Sequence, residues 1–211
     1  MKIKAAALGL ALATYSVFAS AGVTTFNDRA VFNAQGTIQY NSNFADFGSG
    51  FGYPGTPFTR GDVTYSSGQN LTVGAGTGYS IGASQTVMSN NYWTPINASV
   101  SGTHSLLGFD AAVTAGLVGI TINTNQNSYV FSGVSLGNGA PNFTFQGFQT
   151  TGVGEIFTGF KIDTVGPGYL PGITNVAVGA VPEPETYAMM LAGIGLLGLM
   201  KRRASAKKQA A

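Results

Sequence analysis

Between residues 22 and 180 the apolar positions recur with a period of two. Val118, Ile120 and Ile122 are separated by Gly119, Thr121 and Asn123; Ile156, Thr158, Phe160 and Ile162 are interleaved with Gly159, Lys161 and Asp163; Phe143 and Phe145 stand beside Thr144 and Gln146. Alternation of this kind turns one face of an extended strand inward and the other outward, and predicts antiparallel β-structure. Further strands are expected at 38–40, 63–65, 70–73, 96–100, 105–110, 129–135 and 173–178, spaced by glycine- and asparagine-rich turns at roughly 8 to 12 residues. The one soluble helix signal is short: Asn27 as N-cap, Asp28 in the first turn, Ala30 to Ala34, and Gly36 as the stop. About ten to twelve strands in one domain predict an all-β, jelly-roll-like antiparallel sandwich.

The pattern changes at both ends. Residues 1–21 run from a basic start (Lys2, Lys4) through an apolar stretch, Ala5 to Phe18, to Ala19-Ser20-Ala21. This is the order of a secretory signal peptide, with a signal helix and signal peptidase cleavage after Ala21, at the small residues Ala19 and Ala21. At the other end, Val181-Pro182-Glu183-Pro184-Glu185 is followed by an apolar stretch to Met200 and the basic group Lys201, Arg202 and Arg203. The prolines stop any strand from continuing. Residues 186–200 offer about 15 residues, or roughly 22 Å of helix, somewhat short of a ~30 Å hydrocarbon core; snorkelling bases and local thinning cover such a mismatch. The expected organisation is therefore a signal peptide at 1–21, an extracytoplasmic β-sandwich domain at 22–180, and a C-terminal segment at 181–211. That segment holds a single transmembrane helix at about 186–200 and a basic tail at 201–211. By the positive-inside rule the basic tail stays cytoplasmic and the domain lies outside the inner membrane.

Composition narrows the chemistry. The 211 residues contain no cysteine and one histidine, which removes disulfides, thiolate nucleophiles and cysteine-bearing metal sites. The formal net charge of +2 is concentrated at the ends. Residues 22–180 hold three bases (Arg29, Arg60, Lys161) against six acids (Asp28, Asp46, Asp62, Asp110, Glu155, Asp163), a balance of −3. A mildly acidic body argues against nucleic acid and anionic lipid as its partners.

The Pro-Glu-Pro string, the short glycine-bearing apolar stretch and the arginine-containing tail together resemble the PEP-CTERM sorting signal of Gram-negative bacteria. The same C-terminal segment is also labelled an ice-binding-protein C-terminal domain, a label that carries no implication of ice. The resemblance implies recognition by an exosortase near Pro182-Glu183-Pro184, removal of the helix and tail, and delivery to the cell surface or exopolysaccharide matrix. More loosely, residues 22–36, 57–65 and 173–179 are similar to the bodies of many PEP-CTERM proteins, which implies a lectin-like or carbohydrate-module-like sandwich without implying any ligand. The acidic residue frequent before the last asparagine in that family is here Thr174, which weakens any metal site that the resemblance implies.

Other motifs are bland. Gly78–Gly82 and Gly133–Gly137 fit Gly-x-Ser-x-Gly, yet neither has the strand-turn-helix that a nucleophile elbow needs. Gly50–Gly55 matches a dinucleotide fingerprint in letters, with Pro54 where a helix would open. His104 reads as a surface or edge residue. No cofactor and no metal site are expected: the acids are scattered and no D-x-D-x-D-G loop occurs, leaving a structural calcium as the one ion to consider. Tyr92 and Trp93, in Asn90-Asn91-Tyr92-Trp93-Thr94-Pro95, together with Tyr53, either close the end of the core or form a platform on which sugar rings stack. The function expected is that of a non-enzymatic exported protein with a structural or adhesive role. The alternatives are a carbohydrate-binding module built on those aromatics, and a glycosidase or other hydrolase, which requires two converging carboxylates.

Overall fold

The computed structural model describes residues 22–47, 51–74, 87–90, 94–113, 115–137, 142–164, 170–182 and 190–195. Between residues 22 and 182 the described residues form fourteen strands, one short α-helix and a single 3-10 turn at Ala45–Phe47: β1 (Val23–Phe26), α1 (Arg29–Asn33), β2 (Thr37–Ser42), β3 (Phe51–Gly52), β4 (Phe58–Arg60), β5 (Val63–Ser66), β6 (Leu71–Gly74), β7 (Val87–Asn90), β8 (Ile96–Val100), β9 (Leu106–Val113), β10 (Val118–Thr124), β11 (Ser128–Val134), β12 (Thr144–Thr150), β13 (Phe157–Thr164) and β14 (Pro171–Ala180). They form two antiparallel sheets, a β-sandwich as the alternation predicts. The larger sheet has the order β1-β12-β9-β14-β7-β6-β3, and the six-stranded sheet β11-β10-β13-β8-β5-β4.

Strand β14 organises the larger sheet. One of its edges pairs with β9; the other is shared end to end, by β7 at Gly172 and Ile173 and by β2 from Val176 to Ala180. Its ten residues are buried at all but two positions, which shows that both faces of this sheet are covered. The inner face packs on the six-stranded sheet through Phe109, Val176, Val178 and Phe148 against Ile120, Ile122, Phe160 and Ile162. A second cluster of Phe32, Leu106, Phe145 and Ala177, with Phe26, Ile38 and Val181 around it, covers the outer face under α1. Gly108 and Gly147, direct neighbours on β9 and β12, make room for it. A Cβ on either would stand about 3 Å from the Phe32 ring.

Several sequence expectations change in detail. The helix is capped by Asp28, not Asn27: Asp28 is extended and its carboxylate accepts from the Val31 N–H at 2.9 Å. Gly36 lies beyond the helix end, and a Cβ there would meet the Ala180 carbonyl at 2.4 Å, so close approach of β14 demands the glycine. The apolar face of Phe143 and Phe145 is buried on the outer side of the larger sheet rather than between the sheets. In β13 a register shift opposite Asn123 and Thr124 places Phe157 in the core and leaves Thr158 exposed, reversing the alternation expected there.

Among the described residues no helix is long and apolar enough to cross a membrane. Of the segment expected to span, residues 190–195 are described, and they are helical. The signal segment with Ala19 and Ala21, the residues Glu183, Pro184 and Glu185, the bases Lys201, Arg202 and Arg203, and the ring pair Tyr92 and Trp93 lie outside the described residues.

Candidate functional site

The strand registers sort the polar groups between two ends of the sandwich. At one end, Val23 faces Thr150, Gln149 faces Leu106, and Leu106 faces Gly179. Gly22 and Val181, the flanks of the body, therefore leave from the same rim, about three strand spacings or roughly 15 Å apart. Val181 is held there: its N–H donates to Ser105 Oγ at 2.9 Å, and its side chain packs on the outer cluster. Pro182 follows it directly and is exposed, so the Pro-Glu-Pro string begins where the packed body stops.

His104 sits on this rim. It is 2% exposed, contrary to the surface position expected, and its Nε2 lies 2.9 Å from Asp62 Oδ2. The pairing of β5 with β8 brings Asp62, 42 residues away, beside the loop that carries His104. Nδ1 is buried and has no hydrogen-bond partner among the described residues. A nucleophile hydrogen-bonded to that nitrogen would be needed for a triad, and none is there among the described residues.

Glu155 is the second buried ionisable group of the rim, 2% exposed. Its Oε1 accepts from Thr124 Oγ1 and from the Tyr129 hydroxyl, each at 2.8 Å, and its Oε2 from the Gly22 N–H at 3.3 Å. Desolvation, then the hydrogen bond and charge of Glu155, push the Tyr129 phenol above its usual pKa. In the sequence Glu155 is one of several scattered acids; its partners come from the end of β10, the start of β11 and the residue before β1, which only the fold brings together.

The other acids are each engaged separately. Asp110 Oδ2 binds Arg29 Nη2 at 3.0 Å and accepts from Asn175 Nδ2 at 2.6 Å. Arg29 also donates to the Asn175 carbonyl at 3.0 Å and lies 4.4 Å over the Phe145 ring. Asp46 pairs with Arg60 at 2.6 Å, and Asp163 with Lys161 at 2.7 Å. Arg60 also covers the Phe47 ring. Nearby, burial first, and then Tyr40, raise the Tyr65 phenol well above its ordinary value against a lowering by Arg60. Among the described residues no three His, Asp or Glu side chains gather as metal ligands. Gly133–Gly137 closes β11 and leads to an isolated bridge between Gly137 and Ala112; the described residues after Ser135, up to Gly137, are not helical. Phe51 and Gly52 form β3 rather than the strand-to-helix turn of a dinucleotide site.

At the opposite end, Tyr53 is 68% exposed just beyond β3. Gly52 pairs with Val73, Val73 with Met88, and Met88 with Ile173, near the first residue of β14. That point lies about 25–30 Å along the strand from Val181. Strand β7, which leads into 91–93, ends at the same rim, and Thr94 beyond it is fixed to Ser67 by an Oγ–Oγ1 contact of 2.6 Å.

The molecule is thus a β-sandwich body whose rim at Gly22 and Val181 gives directly onto a C-terminal address segment. That segment is a PEP-CTERM protein-sorting motif, whose family model matches residues 180–204. No curated protein matches the sequence. Among solved structures, the chain is similar to a CBM29-2 mutant complexed with mannohexaose, at 14% identity and a TM-score of 0.32, covering 75% of this chain and 92% of that one. A second CBM29-2 mutant, also a family 29 carbohydrate binding module, matches at 14% identity and a TM-score of 0.30, covering 81% of this chain and 96% of that one.

Proposed function

We propose that this chain is an exported, non-enzymatic protein with a structural or adhesive role at the cell surface or in the exopolysaccharide matrix, delivered there by its sorting motif. The observation that carries this reading is the match of the motif at 180–204, beginning at the last residue of β14. Signal peptidase acts after Ala21, and an exosortase acts near Pro182-Glu183-Pro184. Before that step a helix at about 186–200 anchors the precursor in the inner membrane, with Lys201, Arg202 and Arg203 on the cytoplasmic side. Met190, Leu191 and Ile194 support the anchor: each is more than half exposed, an apolar surface that lipid would cover. In cells with an exosortase, the mature protein is expected to lack the tail and to leave the inner membrane. Replacing Pro182, Glu183 and Pro184 by alanine, or deleting the exosortase, is expected to leave the tail attached in nearly all molecules. A tail retained in the inner membrane whether or not the exosortase is present would overturn this reading; mass spectrometry of fractionated cells decides it.

A carbohydrate-binding role is favoured by one observation, the exposure of Tyr53 at the end of the sandwich away from Val181. A ring there offers a stacking face on the side turned outward from the membrane. Binding of the processed protein to a glycan array is expected, weakened about tenfold by Tyr53→Ala or Trp93→Ala, the equivalent of about 1.4 kcal/mol of ring contact. Binding unchanged by both substitutions, or no binding, removes this role.

A further inference from the structure

Glu155 is a carboxylate placed where the fold supplies neutral donors only. It is 2% exposed, and among the described residues no side-chain cation pairs with it. Thr124 Oγ1 and Tyr129 OH serve Oε1, and the Gly22 N–H serves Oε2. Buried carboxylates left without a countercharge are costly, so a compensating cation is the missing part. Gly22 itself is fixed in front of the carboxylate: its carbonyl accepts from Thr151 N–H at 2.9 Å and from Thr151 Oγ1 at 3.1 Å.

We propose that Glu155 is the receptor for the α-ammonium group that removal of the signal peptide creates at Gly22, a proposal that rests on the cleavage after Ala21 read above. Hydrolysis breaks the Ala21–Gly22 peptide bond. Water gives its hydroxyl to the Ala21 carbonyl carbon and a hydrogen to the Gly22 nitrogen, and the proton lost by the new Ala21 carboxylic acid brings that nitrogen to the ammonium form. A neutral amide with one N–H becomes a cation with three, facing Oε2 at a distance the fold has already set. An α-amino group is mostly charged at neutral pH, whereas the amide of the precursor is not. The new pair also spans the sandwich: Gly22 precedes β1 at the edge of the larger sheet, while Tyr129 belongs to β11 at the edge of the smaller one and Thr124 to β10 beside it. Export processing therefore completes a buried charge pair that ties the two edges together, and the precursor holds its body in a looser state than the mature protein.

The test uses processed protein recovered from cells, as wild type and as Glu155→Gln, each with its α-amine free or acetylated in urea at near-neutral pH, where the α-amine reacts ahead of lysine, and then refolded. N-terminal sequencing is expected to read Gly22-Val23-Thr24. In the wild type, acetylation is expected to raise the unfolding equilibrium constant about tenfold, and in Glu155→Gln by less than about twofold. A terminus other than Gly22 overturns both the cleavage reading and the ion pair. A Gly22 terminus with the same acetylation effect in both proteins, or none in either, overturns the ion pair alone. Should Glu155→Gln yield no folded protein, acylation kinetics of the wild type decide: the Gly22 amine is expected to react about tenfold more slowly in the native protein than in urea, and equal rates overturn the proposal.

Discussion

Phe109→Ala is expected to destabilise the body by about 3–5 kcal/mol, a large fraction of the stability a domain of this size holds. Phe109 is fully buried on β9 and stacks on Phe160 of the facing sheet, with ring centroids 4.9 Å apart and planes at 25°. It also meets Phe148 at 5.9 Å, and Phe148 meets Phe131 at 5.4 Å, so the rings run from one sheet to the other and back. Truncation removes the ring in the middle, and the sheets cannot collapse into the space without breaking register. Urea denaturation with an unchanged slope reads the effect. The comparison is Val130→Ala, where the side chain is 67% exposed on β11 and the cost should stay below about 0.5 kcal/mol. A loss under about 1 kcal/mol for Phe109→Ala would mean that the ring stack does not hold the sheets together.

The second large effect is expected at Asp110. Asp110→Ala takes away the acceptor shared by Arg29 and Asn175, at an expected cost of about 2–3 kcal/mol. Asn175 has φ of +48° within the irregular stretch of β14 between Thr174 and Ala177, a conformation that asparagine tolerates better than most residues. Its side chain is held by Asp110 while its carbonyl is held by Arg29, so one carboxylate joins α1, β9 and the bulged part of β14. Asp110→Asn keeps the shape and part of the hydrogen bonding, and should cost about half as much. Equal and small losses for both substitutions, below about 0.5 kcal/mol, would show that the cluster is incidental to stability.

The difference between what was legible in sequence and what was not follows the range of the forces involved. Strands such as β10 declare themselves because Val118, Ile120 and Ile122 all face one core, and the period of two survives intact. Strands β1, β3 and β4 have two to four residues and none described as buried, so nothing in them repeats. The bulge in β13 is invisible in advance because Ile156 and Phe157 are both apolar and either can fill the core. Asp28 and Asn27 are both good caps, and the choice is made by where the helix must start to seat Phe32 on Gly108 and Gly147.

The same range argument applies to the polar clusters. Asp62 and His104 are 42 residues apart, Arg29 and Asn175 are 146 apart, and Gly22 and Glu155 are 133 apart. A reading that looks for acids near a histidine along the chain has no access to these pairs. The sorting segment is legible for the opposite reason: its information is linear, carried by consecutive residues that act after the body has folded or independently of it.

Gly22 and Val181 emerge from the same rim, and this has a consequence for how the body can be connected to other chains. A sandwich whose two ends stand about 15 Å apart can be joined to itself by a linker of a few residues, or spliced into a surface loop of another protein, without disturbing a strand. Modularity of that kind lets one address segment serve many bodies and one body serve many hosts. Here the packed residues Ser105 and Val181 mark where the body ends and the sorting segment takes over.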